Sequence, residues 1–259
     1  MRLSLIVSTY NWVRALKKVF AALRTQTLSP DELLIADDGS NDETRLCISQ
    51  FQQEYFGQVQ HIWHDDQGFR KASILNKSIA AATSPYIVFL DGDCVPHPRF
   101  LEDHVALCEK RCWVQGRRAF ISQGRVDDFK GGTRSFCSLW LRGGATGFFK
   151  AVRWPLPWSN HGKEQRGILG CNMGVWRDDL ISVNGFDEEY EGWGKEDSDL
   201  GTRLYNLGLL RKIVHGRAIV YHLNHPESPR HNLVKNQDRL QIAMQDKKYC
   251  CERGLKQYL

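Results

Sequence analysis

No stretch of the 259-residue sequence approaches the ~20 consecutive apolar residues of a membrane-spanning helix. The N-terminus enters the strand-like Leu3–Val7 directly, without the longer apolar region and small-residue cleavage site of a secretory signal. The eight cysteines (Cys47, Cys94, Cys108, Cys112, Cys137, Cys171, Cys250 and Cys251) include no CxxC pair, so neither a zinc ribbon nor a thioredoxin-type motif is indicated. Cys108 and Cys112, one helical turn apart, read as packing residues. These absences point to a reducing, cytoplasmic home with free thiols. There is no internal repeat, no low-complexity segment and no basic stripe interleaved with aromatics, so no nucleic-acid partner is expected. Net charge is a mild +5, from 35 Lys and Arg against 30 Asp and Glu. It suits a polyphosphate ligand or an anionic membrane surface but requires neither.

What is present is a chain with 42% hydrophobic residues, enough for a full core. Leu3–Val7, Glu32–Ala36, Val59–Trp63 and Tyr86–Leu90 read as strands. Between them Ala15, Leu16, Val19, Phe20 and Leu23, then Leu46, Ile48 and Phe51, then Ile74, Leu75 and Ile79 recur at helical spacing. Strand and helix thus alternate within about a hundred residues. The pattern predicts a mostly parallel, Rossmann-like α/β sheet flanked by helices. The second half is less regular. Trp113–Ser122, Leu169–Trp176 and Ala218–His222 read as strands, Glu196–Leu207 as a helix, and Gly143–Gly167 as a long loop. A polar, basic helix is expected from about Asn232.

In such sheets ligands bind beyond the C-terminal ends of the strands. Thr9-Tyr10-Asn11, Asp37-Asp38 and Asp91-Gly92-Asp93 all fall there. Asp-Gly is also ordinary turn chemistry, but a carboxylate pair past the most apolar strand suits a hard divalent cation. Asp37 and Asp38 can accept hydrogen bonds from a base or ribose, or cap the helix that follows. Arg70 and Lys71 can pair with a diphosphate or form a solvated turn. In Gly192-Trp193-Gly194-Lys195-Glu196-Asp197-Ser198-Asp199, three acids share one helical turn. A helix N-terminus stabilises part of that charge, and a carboxylate there can deprotonate a hydroxyl. Asp199, deeper in the helix, reads as structural. His222 is a candidate metal ligand, with His225 and His231 as alternatives.

These clusters, in this order, resemble family-2-type glycosyltransferases of the GT-A fold. The matching segments are Val7–Asn11, Asp37–Ser40, Gly68-Phe69-Arg70 with Asn76, and Asp91–Asp93. From Gly170-Cys171-Asn172-Met173 through Gly185-Phe186-Asp187 to Gly192–Asp197, the second half resembles the C-terminal module of galactosyl- and N-acetylgalactosaminyltransferases. The resemblance implies a metal-dependent, inverting transfer from a nucleotide-diphosphate sugar, with UDP preferred, to a glycan or lipid-linked saccharide of bacterial surface polysaccharide or lipopolysaccharide.

Roles follow by position. Thr9 and Tyr10 would line the nucleoside pocket, Asp38 or Asp37 hold base or ribose, and Arg70 approach the diphosphate. Asp91 would contact the ribose side. Asp93 and His222 would bind Mn²⁺ or Mg²⁺. Asn172, Trp193 and Glu196 would hold sugar or acceptor, and Asp197 would be the base. Lys195 departs from the small residue common before the Glu-Asp pair. Ile74-Leu75-Asn76 lacks a frequent Arg-Asn pair, which shifts weight to Arg70. The implied layout is a nucleotide-sugar half, 1–125, a mixed acceptor-binding half, 126–231, and a helical tail, 232–259. Gly143–Gly167, with Trp154 and Trp158, is either an acceptor loop or a surface loop pinned by its indoles. The tail's Lys235, Arg239, Lys247, Lys248, Arg253 and Lys256 suit either peripheral membrane contact or a solvated helix. The competing functions are a sugar-1-phosphate nucleotidyltransferase, which would place a Gly-rich basic loop after the first strand, and a non-catalytic saccharide- or nucleotide-binding module.

Overall fold

A computed structural model describes residues 1–155, 158–226 and 230–259. The elements in chain order are β1 (Leu3–Thr9), α1 (Val13–Leu23), β2 (Glu32–Asp37), α2 (Asp42–Glu54), β3 (Val59–Trp63), α3 (Lys71–Ala81), β4 (Tyr86–Asp91), β5 (Cys94–Pro96), α4 (Phe100–Leu107), β6 (Cys112–Gln115) and β7 (Arg117–Ile121). There follow α5 (Gly132–Leu141), β8 (Ala145–Thr146), α6 (Phe148–Ala151), β9 (Trp158–Gly162), β10 (Asn172–Trp176), α7 (Arg177–Ser182), α8 (Glu196–Asn206), β11 (Leu210–His215), β12 (Ile219–Leu223) and α9 (Leu233–Asp246). Among the described residues no helix is long and apolar enough to cross a membrane.

The strands form two sheets. The first has the order β3-β2-β1-β4-β10-β6-β11-β9, and the second β5-β12-β7-β8. The expected parallel core is present: β1 pairs in parallel with β2 and β4, and β2 with β3. The period-2 geometry of a strand sends alternate residues to opposite faces. Leu5 and Val7 of β1, Leu33 and Ile35 of β2, and Val88 and Leu90 of β4 pack with α1 and α2. Ile6, Leu34, Ala36, Ile87 and Phe89 pack on the other face with α3 and α8. Because both faces are covered, these strands read as continuous apolar runs. The second half is not a separate layer. β10 inserts antiparallel beside β4, with Asn172 opposite Leu90, so one sheet runs through both halves.

The irregular regions differ from the expectations in three places. Trp113–Ser122 is two strands, broken at Gly116, where the chain passes from the first sheet to the second. Gly143–Gly167 is not a continuous loop but carries β8, α6 and β9. Leu210–His215, unassigned in the sequence reading, is β11. The tail is not one helix either. The chain leaves α9 through a left-handed Lys247, returns to bury Leu255, and places the Tyr258 hydroxyl 3.1 Å from Glu188 Oε2, to which it donates.

Gly116 is required by close packing. A Cβ there would lie 2.3 Å from Asn172 Nδ2 and 2.4 Å from the Ala218 carbonyl. Neither can retreat readily, because that amide donates to that carbonyl at 2.7 Å. Gly116→Ala should therefore destabilise the fold by about 1–3 kcal/mol, read from chemical denaturation. At the start of α8, Lys195 has φ 80°, a left-handed conformation that crowds its Cβ. A glycine would adopt this conformation without that crowding. Lys195→Gly should stabilise by about 1 kcal/mol, and a lower thermal midpoint would contradict the strain.

Candidate active site

The C-terminal ends of β1 and β4 and the loop after β12 open on one cleft of about 870 Å³. Gly92 lets the turn after β4 approach β1: its amide donates to the Ser8 carbonyl at 2.7 Å, and a Cβ would sit 2.8 Å from that oxygen. The two carboxylates of Asp91-Gly92-Asp93 then diverge. Asp91 Oδ1 accepts from Ser8 Oγ at 2.8 Å and from Lys71 Nζ at 2.6 Å. Asp93 Oδ2 faces His225 Nε2 at 3.0 Å and His222 Nε2 at 3.6 Å.

β5 and β12 create this second constellation. They pair antiparallel with His222 opposite Cys94, bringing residues far apart in the chain to one edge. The ligand atoms of Asp93, His222 and His225 all lie within 4.8 Å of one another. Burial alone would raise the Asp93 pKa, but the hydrogen bond from His225 and the nearby His222 bring it below its ordinary value. Burial lowers the His222 pKa, favouring the neutral ring a metal requires. The Asp93 hydrogen bond raises that of His225. One carboxylate and two imidazoles form a coherent donor set for a first-row divalent ion, and the paired nitrogens suit Mn²⁺ better than Mg²⁺.

Lys71, the first residue of α3, reaches the cleft between Asp91 and the acids of α8. Burial works against its charge, but Asp91, Glu196 and Asp197 more than compensate and raise its pKa. Glu196 is buried, lines the cleft, and has one carboxyl oxygen, Oε2, with no hydrogen-bond partner among the described residues. Burial, followed by repulsion from Asp197, pushes its pKa up to about 7, while Lys71 opposes the rise.

Asp197 is placed differently. Its carboxylate accepts from the backbone amides of Gly170 at 3.0 Å and Ser198 at 2.7 Å, and it does not line the cleft. The base role that the resemblance implies for Asp197 therefore meets a geometry in which its neighbour Glu196 faces the cleft. Asp199 pairs with Arg203 inside the fold, the structural role expected of it.

Thr9 and Tyr10 line the cleft, with the Tyr10 hydroxyl donating to Asp66 Oδ2 at 2.9 Å. Of the two candidate acids after β2, Asp38 lines the cleft and Asp37 does not. Asp37 is fully buried and holds the turn through His61 Nε2 at 2.9 Å and the Ser40 amide at 2.9 Å. Asp38 is held by His64 Nε2 at 2.8 Å and the Arg70 amide at 2.9 Å. The Arg70 guanidinium lies 3.7 Å from Glu191 and lines a neighbouring cavity, so of the adjacent pair Arg70 and Lys71 it is Lys71 that enters this cleft. Asn172 is buried outside the cleft. It bonds His104 and the carbonyls of Arg117 and Ala218, joining the two sheets. Trp193 lines the cleft, with the Arg230 guanidinium 4.9 Å from its ring centroid.

The sequence reading did not single out Trp12, Arg118 or Phe120, which also line the cleft. Trp12 packs edge-on against His225, with centroids 5.1 Å apart. Its place directly after Thr9-Tyr10-Asn11 was the available signal. Arg118 and Phe120 carried none, because the break at Gly116 is what directs them inward.

The model of glycosyl transferase family 2 matches residues 4–172, and that of the N-terminal domain of galactosyltransferase matches residues 158–226. Chondroitin synthase of Escherichia coli is 26% identical over 245 residues, covering 86% of this chain and 35% of that protein. Validoxylamine A glucosyltransferase of Streptomyces hygroscopicus subsp. limoneus is 26% identical over 228 residues, covering 80% of this chain and 48% of that protein. The chain thus spans about half or less of these relatives. Among solved structures, residues 1–349 of S. aureus TarS in complex with UDP superpose with a TM-score of 0.63 at 14% identity, over 100% of this chain and 68% of that one. The mannosyltransferase PcManGT of Pyrobaculum calidifontis, in complex with GDP-Man and Mn²⁺, gives 0.61 at 18% identity, over 95% and 63%. The fold is that of the GT-A glycosyltransferases, and with its model matching well over half of the sequence, the chain belongs to glycosyl transferase family 2.

Proposed function

We propose that this chain transfers a sugar from a nucleotide diphosphate to a hydroxyl of a saccharide or lipid-linked saccharide, in one inverting displacement. The observation that carries this reading is the shared cleft, whose walls hold a divalent-ion donor set, an unpartnered buried carboxyl and a half-buried lysine. In this reading residues 1–125 hold the donor, residues 126–231 supply most of the acceptor side, and 232–259 buttress both. UDP is the preferred nucleotide on family resemblance. Relatives named as chondroitin and hyaluronan synthases favour a polysaccharide product.

Thr9, Tyr10 and Asp38 bind the nucleoside, with His64 and the Arg70 amide fixing the Asp38 carboxylate. Asp93, His222 and His225 would hold a divalent cation, which would supply positive charge against the leaving diphosphate. Lys71 adds a fixed positive charge beside the same groups. Trp193 offers its indole to the apolar face of a sugar. Glu196 takes the proton of the attacking hydroxyl, because it opens on the cleft and titrates near neutrality, where a general base works best. A binding module has no need of such a carboxyl. Release of nucleoside diphosphate rather than pyrophosphate distinguishes transfer from nucleotidyl chemistry.

Glu196→Gln should lower kcat by roughly 10²–10⁴-fold, the usual effect of removing a general base, with a smaller loss for Asp197→Asn. The reverse order would move the base to Asp197. The kcat/KM of wild type should rise with pH and level off above about 7, since the carboxyl accepts a proton only when ionised. Lys71 lowers the Glu196 pKa, so Lys71→Met should move that limb to higher pH. A limb that stays in place would remove Lys71 from the electrostatics of the base.

Dialysis against a chelator should abolish transfer, and Mn²⁺ should restore it better than Mg²⁺. His222→Ala and His225→Ala should each raise the Mn²⁺ concentration needed for half-maximal rate. Undiminished activity after exhaustive chelation would exclude a metal-dependent reaction.

A further inference from the structure

Residues 129–163 contain no Asp or Glu, in a chain with 30 such acids. The same segment carries Lys130, Arg134, Arg142, Lys150, Arg153 and Lys163. These cations are too widely spaced to form a basic run, so absent acids mark the segment rather than crowded bases. The fold gathers part of it on one face, built from α5, β8 and α6.

α5 and α6 point Phe136, Leu139 and Ala151 into the core and turn other apolar groups outward. Leu141 is 77% exposed, Phe149 74% and Trp140 41%. The aromatic rings form a chain: Trp140 lies 4.5 Å from Phe148, and Phe149 stacks on Trp154 at 6.2 Å. Arg134 and Arg142 are exposed on the same elements. Among the described residues, no carboxylate lies within ion-pair distance of Arg134, Arg142 or Lys150. Arg153 is excluded from the argument, because Asp103 holds it at 2.5 and 2.7 Å.

We propose that the α5–α6 face is a docking surface for an anionic lipid bilayer. Unpaired cations around protruding leucine, phenylalanine and tryptophan match a bilayer interface, where phosphates meet hydrocarbon. An acidic glycan fits less well, since the isobutyl group of Leu141 offers nothing to a surface of hydroxyls. The α9 helix is a weaker candidate. Over 233–246 its Lys235 and Arg239 are balanced by Asp238 and Asp246, and Arg239 is committed to Asp187 and Glu189. The α5–α6 face also adjoins the cleft. Thr146 of β8 pairs with Phe120 of β7, and Phe120 lines the cleft wall. An acceptor anchored in the bilayer would therefore be presented at the acceptor side, and this part of the inference rests on the transferase reading.

Cosedimentation with vesicles of equal parts phosphatidylcholine and phosphatidylglycerol, against pure phosphatidylcholine, tests the surface without reading catalysis. Wild type should sediment with the mixed vesicles only. The pair Arg134→Ala and Arg142→Ala should weaken binding by roughly fivefold per cation. Leu141→Ser with Phe149→Ser should weaken it as well. All variants should keep the wild-type unfolding midpoint and the wild-type rate of donor hydrolysis in the absence of vesicles. Wild-type protein that stays in the supernatant overturns the proposal. So do variants that sediment undiminished, or retention on immobilised chondroitin sulfate without vesicle binding. Loss of transfer with vesicle binding intact would count against the enzymatic reading alone.

Discussion

The half-buried ammonium group of Lys71 lies among carboxylates delivered by two distant parts of the chain. Asp91 comes from the end of β4, and Glu196 and Asp197 from the start of α8. Taking such a charge even partly out of water is unfavourable unless opposite charges lie beside it. Three acids in one place would in turn repel one another without it. The fold therefore has to bring α3, β4 and α8 together, and it does so with apolar contacts: Ile74 and Leu75 of α3, Phe89 of β4 and Leu200 of α8 share one cluster. Packing sets the distance, and the buried charges set which side chains can occupy it. Removing the ammonium would leave Asp91 and the buried Glu196 without their nearby counter-charge.

A second constraint joins the two sheets. Asn172 stands in β10 beside β4 and sends its amide to the Ala218 carbonyl just before β12. Gly116 leaves the space in which that bond forms. The junction fixes β12 and β5 relative to β4, and hence His222 and His225 relative to Asp93. Asn172 thus belongs to the site without touching its cleft. A residue marked by family resemblance as a ligand contact has a mechanical role in this chain, two elements away from the chemistry.

The first hundred residues were legible because each strand and helix there shows a strong period and pairs with a neighbour close in sequence. Apolar runs such as Tyr86–Leu90 and the helical spacing of Ala15, Val19 and Leu23 need no tertiary information. The second sheet was legible only in part: β7 and β12 fell within segments that read as strands, but β5 and β8 did not. β5 has three residues and β8 two, and each is a strand only because a distant partner exists. The site followed a related rule. Asp37 and Asp38, Arg70 and Lys71, and Glu196 and Asp197 are adjacent pairs in which both members have suitable chemistry. Successive residues leave a strand on opposite faces and a helix about 100° apart. Sequence therefore located each functional neighbourhood, but which member faces the cleft depended on local twist and cap geometry. The left-handed Lys195 that opens α8 is one such determinant.

The two aspartates around Gly92 illustrate how that geometry divides labour. An isolated Asp-Gly-Asp suggests that both carboxylates converge on one cation. Here Asp91 already has a cation of its own in Lys71, with Ser8 supporting it, and Asp93 alone turns toward the imidazoles. A fixed ammonium and a divalent ion 3 Å from the same carboxylate would repel strongly; on separate carboxylates each retains its counter-charge. The arrangement also accounts for the nitrogen-rich donor set. With Asp91 committed, His222 and His225 would supply the ligands that a second carboxylate would otherwise provide, and in the proposed site the preference would move from Mg²⁺ toward Mn²⁺. In the proposed reaction, positive charge would thus come from two directions, a fixed lysine on one flank of the diphosphate and an exchangeable ion on the other.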